Sequence, residues 1–282
     1  MLMSTQANRY AHQLLDARAN AHRIARLGTQ GISVADAYDI ARSVLDIRIA
    51  EGETMIGRKI GMANRKAWGL PANGQEGQAA QAPIWAPIFD ATVRYADDNH
   101  GVQSLAGAVQ PRIEPEIVFK LGRAPARNAG IAEMADCIEW MAHGCEILVC
   151  PFPDWQCEAA DAIAAFGLHG TLIVGDPHML SAATRQHLAE ILPAASVSLS
   201  CNEGGQLSLQ AAGFGSDVME SPLHALWRLH QLLKTQPQFP PLAAGELVAT
   251  GALTPACPVK PGQTWSTAFS GVALPGMTLS FV

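Results

Sequence analysis

The chain reads as an α+β protein, with a helical N-terminal region over residues 1–56 and, over residues 57–282, a mainly antiparallel, closed or rolled sheet with further helices packed outside. Three observations predict this. Apolar residues recur at helical spacing near the N-terminus, many short β-branched runs separated by Gly and Pro follow from Gly57 onward, and two helices with strong start signals interrupt those runs.

The N-terminal helices come first. Leu14, Ala17, Ala21, Ile24 and Leu27 fall on one helical face, with Ala11 and Leu15 on its flank. A second helix starts at Ser33, where Asp36 three residues on approximates a capping box and Ala35, Ile40, Val44 and Leu45 supply the apolar side. Gly52 and Gly57 end that pattern.

Strand-and-turn texture then takes over. Lys59-Ile60-Gly61-Met62 is a short apolar run, Asn64 to Ala82 is polar and Gly-rich and reads as a mobile surface loop, and Pro83 to Val93 reads as a broken strand. A strand around Glu114 ends at Gly122. Ile131, Met134, Ala135, Ile138 and Met141 predict an amphipathic helix to about His143, with Gly144 as its C′ residue and His143 favoured by the helix dipole. Cys145 to Cys150 is a strand pattern stopped by Pro151 and Pro153.

The rest alternates strands (171–174, 197–201, 206–210, 247–250, 264–269 and 277–282) with two helices. One begins near Ser181, and the other has Ser221 as N-cap and Pro222 in the first turn.

Composition bounds the function. The chain has 282 residues and 29.9 kDa, is 49% apolar and 16% charged, and carries a net charge of −6 with a pI near 5.8. That is a globular composition with no basic footprint for nucleic acid and no apolar run of membrane-spanning length. The N-terminus lacks a signal-peptide pattern, and Cys137, Cys145, Cys150, Cys157, Cys201 and Cys257 show no zinc spacing, so the expected setting is a reduced cytoplasmic one.

The chemistry is concentrated in Ile113-Glu114-Pro115-Glu116-Ile117. In a strand the two acids share a face, roughly 6–7 Å apart at about 3.3 Å per residue. Two readings stay open: a solvated edge strand, which Pro115 would suit, or a site holding a hard divalent cation between like charges. Glu146 follows Glu116 by 30 residues, the span that brings a neighbouring strand alongside, and a lone acid in an apolar strand is costly unless paired or coordinated.

Gly57-Arg58-Lys59-Ile60-Gly61, Ile113-Glu114-Pro115-Glu116-Ile117, Cys145-Glu146-Ile147, Gly213 to Met219 and Val248 to Pro255 together resemble the 2-oxopent-4-enoate hydratase and 4-oxalocrotonate decarboxylase branch of the fumarylacetoacetate hydrolase superfamily. The blocks stand in the family's order and reach from Ala37-Tyr38-Asp39-Ile40 to the last strand. The resemblance implies a helical N-terminal region on the family's mixed β-roll, and a divalent metal, Mg²⁺ or Mn²⁺, held by Glu114, Glu116 and Glu146. It also implies an active-site lysine at Lys59, a substrate contact at Ala252 and Leu253, and a homo-oligomer. The substrate it implies is a small 2-oxo or 2-hydroxy alkenoic acid. A lysine beside a metal is expected to have its pKa lowered by like-charge repulsion, which suits proton transfer.

Departures from the family pattern are mostly polar to apolar. Ile147-Leu148-Val149-Cys150-Pro151 stands where Ile-Val-Asp-Ser-Arg is usual, Ala164-Ala165-Phe166 replaces Ala-Asp-Asn, Ala63-Asn64 replaces a threonine and serine, Ala252 replaces a serine, and Ile84 an acid. His169, close to the lost polar block, is a candidate substitute at the substrate, and Trp68, Trp85, Trp140 and Trp155 are candidates to line a more apolar pocket. The leading expectation is a metal-dependent hydro-lyase. The alternatives are a 4-oxalocrotonate-type decarboxylase, a diverged partner subunit without catalysis, and an acylpyruvate hydrolase, which the absence of histidine from residues 61–95 disfavours.

Overall fold

The computed structural model describes residues 4–64 and 83–282. The expected mobile loop, apart from Asn64, and the candidate Trp68 lie outside the described residues.

Helix α1 (Ser4–Ala19) and helix α2 (Val34–Ala50) pack against each other. The Ser33 hydroxyl accepts from the Asp36 amide while Asp36 accepts from the Ser33 amide, completing the predicted capping box. Helix α1 stops earlier than its apolar spacing suggests: Ala21 adopts a left-handed φ of 52°, and Ile24 and Leu27 are buried as part of a connecting segment instead.

Strand β1 (Met55–Gly61) pairs antiparallel with β2 (Ile84–Phe89), and a single 3-10 turn at Asp90–Thr92 leads into β3 (Val93–Tyr95) and β4 (His100–Gln103). Strand β5 (Arg112–Leu121) carries the paired acids. The expected helix to His143 is corrected here. Helix α3 (Ile131–Cys137) ends six residues short of it, and Ile138–Leu148 is one long strand, β6. The helical spacing of Ile138 and Met141 is real, but ten residue pairs of register with β5, from Leu121↔Ile138 to Arg112↔Leu148, decide the conformation. His143 and Gly144 therefore sit in mid-strand, and burial in place of a helix dipole sets the His143 environment.

Helix α4 (Ala159–Ala164), strands β7 (His169–Val174) and β8 (His178–Met179), and helix α5 (Ala182–Ala194) follow. Then come β9 (Ser196–Glu203), β10 (Gln206–Phe214), helix α6 (Pro222–Leu233), β11 (Leu247–Ala252), β12 (Cys257–Pro258), β13 (Thr264–Ser270) and β14 (Thr278–Phe281). Ser181 and Ser221 cap α5 and α6 as their sequences predict.

Two curled sheets result. The larger runs β2-β1-β11-β5-β6-β7-β3, with β12 and β8 at its margins, and the smaller runs β10-β9-β13-β14-β4. Most pairs are antiparallel, while β1/β11, β3/β7 and β14/β4 are parallel, so both sheets are mixed. Ile113, Cys145, Ile147 and Ile173 of the large sheet meet Leu199, Trp265, Leu279 and Phe281 of the small one in a common apolar cluster. The helices bury a second, larger cluster against the large sheet, which includes Leu14, Ile40, Ile60 and Phe119. Strand β5 lies between β11 and β6, so the edge-strand reading of the Glu114–Glu116 pair is excluded.

Candidate active site

Two neighbouring strands, β5 and β6, deliver the three acids to one place. Glu114 pairs directly with Glu146 across β5 and β6, which puts both side chains on the same face, and Glu116 lies two residues along that face opposite Gly144. All three are buried, and each offers a carboxylate oxygen within 4.8 Å of the others. Gly144 is needed there, since a Cβ would stand 2.5 Å from Val118 Cγ2.

Proline at 115 is accommodated by its surroundings. Strand β11 carries an extra residue between Ala249 and Ala252, a bulge opposite Ile117, and the returning chain donates the Leu253 amide to Pro115 O at 2.9 Å. The bulge turns the Gly251 amide toward Glu116 Oε2 at 2.9 Å. Gly251 has φ +104°, a conformation that excludes most side chains. Glu116 Oε1 is buried without a hydrogen-bond partner.

Lys59 on β1 completes the cluster. Its Nζ lies 2.9 Å from Glu146 Oε2 and donates to Gly167 O at 3.0 Å. Burial opposes the ammonium charge, but Glu146, Glu114 and Glu116 together outweigh it and hold the pKa above the usual lysine value. This sign is opposite to the lowered value expected of a lysine beside a cation, because here the lysine faces three acids.

The acids divide by environment. Burial pushes Glu114 up to about 7, with Lys59 opposing and Glu146 reinforcing the shift. Burial and the Glu146 charge push Glu116 well above the ordinary carboxylate range. Burial works the same way on Glu146, yet Lys59 and His169 overcome it and hold this acid down to about 2. A buried set with one ionised and two strained acids, and an orphaned oxygen on Glu116, suits a hard divalent cation.

His169 Nδ1 is 2.6 Å from Glu146 Oε1, and its Nε2 is 2.9 Å from Thr92 Oγ1. Both ring nitrogens are thus occupied by protein, so the structure places His169 beside an acid, where a direct substrate contact was expected. Ala252 lines a cavity with Lys59, Glu114, Met62, Ala63, Asn64, Ile84, Leu148, Ala162 and Leu168. Leu253 is fully buried in the core and is not part of that lining. Of the departures from the family pattern, Ala63, Ile84, Leu148 and Ala252 converge on this one cavity, while Val149 and Phe166 line another small space beside Arg18.

The candidate tryptophans among the described residues lie elsewhere. Trp85 stacks on Tyr38 and meets Phe239 edge-on, Trp155 lies 4.1 Å under the Arg112 guanidinium, and Trp140 is on β6 opposite Lys120. His143 is buried among Glu116 O, Thr267 Oγ1 and the Phe269 ring, and burial lowers its pKa to about 4. Thr92, Gly167 and Arg18, which support the site, carry no motif signal; they become visible only through contacts more than 70 residues apart in sequence.

No family model matches the chain. Over 245 residues it is 28% identical to a 2-hydroxyhexa-2,4-dienoate hydratase of Comamonas testosteroni, covering 86% of this chain and 84% of the relative. Over 260 residues it is 27% identical to a 4-oxalocrotonate decarboxylase of a Pseudomonas species, covering 90% and 91%. In fold it matches the 4-oxalocrotonate decarboxylase of Pseudomonas putida G7 solved with magnesium and adipate, with a TM-score of 0.83, 21% identity and coverage of 100% and 99%. Over nearly its whole length the chain is thus similar to the hydratases and decarboxylases of the branch that its ordered motif blocks resemble, and it shares their fold.

Proposed function

We propose that this protein is a divalent-metal-dependent hydro-lyase that adds water to a 2-hydroxydienoate or its 2-oxoalkenoate tautomer, of the kind formed in the catabolism of aromatic acids. The observation that carries the reading is the cluster of Glu114, Glu116 and Glu146 around the Lys59 ammonium, of which Glu114 and Lys59 line a cavity whose other walls are mostly apolar.

The unpartnered Glu116 oxygen and the oxygen-only donor set fit Mg²⁺ or Mn²⁺, with Glu114, Glu116 and Glu146 as the holding residues. Such a cation supplies Lewis-acid stabilisation of the negative charge that develops on the 2-oxygen of a chelating 2-oxo acid. The chain's own part is proton handling and orientation. Lys59 carries its proton on Nζ, fixed between Glu146 Oε2 and Gly167 O, where it is available to the remote carbon of the dienol; the 2-hydroxyl gives up its own proton as the ketone forms and Nζ is reprotonated, so the step is a net proton shift from oxygen to carbon. Addition of water to the resulting enone then returns a 4-hydroxy-2-oxo acid.

A decarboxylase would share this charge sink, and relatives with that activity support it as the second reading. Its dicarboxylate substrate carries a second anionic group, however, and among the described residues Lys59 is the only cation lining the cavity. The apolar far wall favours hydration of a monocarboxylate. The test is loss of dienoate absorbance in the presence of Mg²⁺ with appearance of the 4-hydroxy-2-oxo product. Release of CO₂ from an oxalocrotonate without hydrated product would favour the decarboxylase, and pyruvate release from an acylpyruvate would favour a hydrolase.

A further inference from the structure

Between α4 and β7 the chain makes an unusual turn that touches the acid cluster twice. Phe166, Gly167 and Leu168 have φ of 61°, 62° and 62°, three consecutive left-handed residues of which two carry side chains that disfavour it. The turn aims Gly167 O at Lys59 Nζ. It also starts β7 with the His169 ring against Glu146, at a register shift between Ile147 and Leu148.

Something must hold such a turn, and Arg18 of α1 is placed to do so. Its guanidinium donates to the main-chain oxygens of His169 at 2.5 Å and Gly170 at 3.1 Å, and it lies 5.0 Å over the Phe166 ring. On the far side of the imidazole, Thr92 Oγ1 is 2.9 Å from Nε2. The ring is therefore gripped through its backbone and through both nitrogens, and it presents one N–H to one oxygen of Glu146. The other oxygen of Glu146 faces Lys59.

We infer that His169 is a positioning residue that fixes the orientation of the Glu146 carboxylate for cation binding, and that Arg18 acts through His169 by holding the strained turn. The inference rests on the reading of Glu146 as a metal ligand. Physically, a buried carboxylate that lost the His169 N–H would be free to rotate onto Lys59, and outer partners of metal-ligating groups typically govern affinity by 10- to 100-fold.

The test is Mn²⁺ titration of the full chain by calorimetry, with the Mn²⁺ electron paramagnetic resonance spectrum of each complex as a readout of ligand geometry. Wild type, His169→Leu, His169→Asn, Arg18→Met and the Arg18→Met/His169→Leu double variant are compared. We expect His169→Leu to bind roughly 10- to 100-fold more weakly with an altered spectrum, His169→Asn to recover part of the loss, and Arg18→Met to fall in between. The double variant should be no weaker than His169→Leu, because Arg18 acts through the same ring. Wild-type affinity and spectrum in His169→Leu overturn the inference while leaving the metal centre standing; absence of Mn²⁺ binding to wild type removes the metal centre itself. If His169→Leu does not fold, unchanged affinity in Arg18→Met and His169→Asn overturns the inference equally.

Discussion

Glu114 and Glu146 face each other directly across the β5–β6 ladder, yet burial lifts the first to about 7 while Lys59 and His169 hold the second at about 2. Two acids in register on one sheet face are normally destabilising. The pair persists here because one member has two cationic or hydrogen-bonding partners and the other can keep its proton until a cation replaces it.

That division predicts how stability responds to pH. Glu114, and Glu116 further up, bind a proton in the folded chain that the unfolded chain releases near 4.5. Their stabilising contribution is complete below 4.5 and is lost as pH rises through about 7 and beyond. His143 and His169, whose pKa values are lowered from 6.5, act in the opposite sense, but only below 6.5. Chelator-treated protein should therefore lose thermal stability between pH 6.5 and 8, and saturating Mg²⁺ should restore it most at pH 8. Calorimetric melts check this, and a flat or rising midpoint in chelator would contradict it.

Lys59 separates catalysis from metal holding. Lys59→Met removes the proposed proton carrier and also removes a positive charge that would compete with a cation for Glu146. Turnover of a dienoate should fall about 10²- to 10⁴-fold while Mg²⁺ affinity is retained or increased. A parallel loss of affinity would show that Lys59 is structural.

The apolar lining of the cavity predicts which substrates the proposed site prefers. With Ala63, Ile84, Leu148 and Ala252 on the lining, an alkyl or aryl distal substituent should be used at least about tenfold better in kcat/KM than a distal carboxylate, since an unpaired buried charge costs several kcal/mol. Ala252→Ser should narrow that gap. Steady-state kinetics on matched substrates decide the point, and equal kcat/KM values would sink the apolar-wall reading.

Much of this was legible in the sequence where local chemistry is decisive. Ser33, Ser181 and Ser221 start their helices as caps, and the Glu-Pro-Glu strand with Glu146 forms one cluster. What escaped depends on partners distant in the chain. The stretch from Ile138 to Gly144 has helical apolar spacing, and only pairing with β5 makes it a strand. His169 stands out in sequence, but its role as a neighbour of Glu146 requires knowing that Arg18 and Thr92 close around it. Leu253 belongs to a site motif and is nevertheless core, because its amide rather than its side chain serves the site, through Pro115.

The central claim is that Glu114, Glu116 and Glu146 form a divalent-cation site, and Glu116→Gln tests it most directly. The amide keeps an oxygen for the Gly251 N–H but removes the charge with the unpartnered oxygen. Mg²⁺ titration by calorimetry should show binding to wild type and a loss of roughly 100-fold or more in Glu116→Gln, about 2.7 kcal/mol or more. In chelator the variant should melt no lower than wild type, since a buried repulsion is gone. Identical heats of Mg²⁺ binding in the two proteins, or none in wild type, would contradict the account.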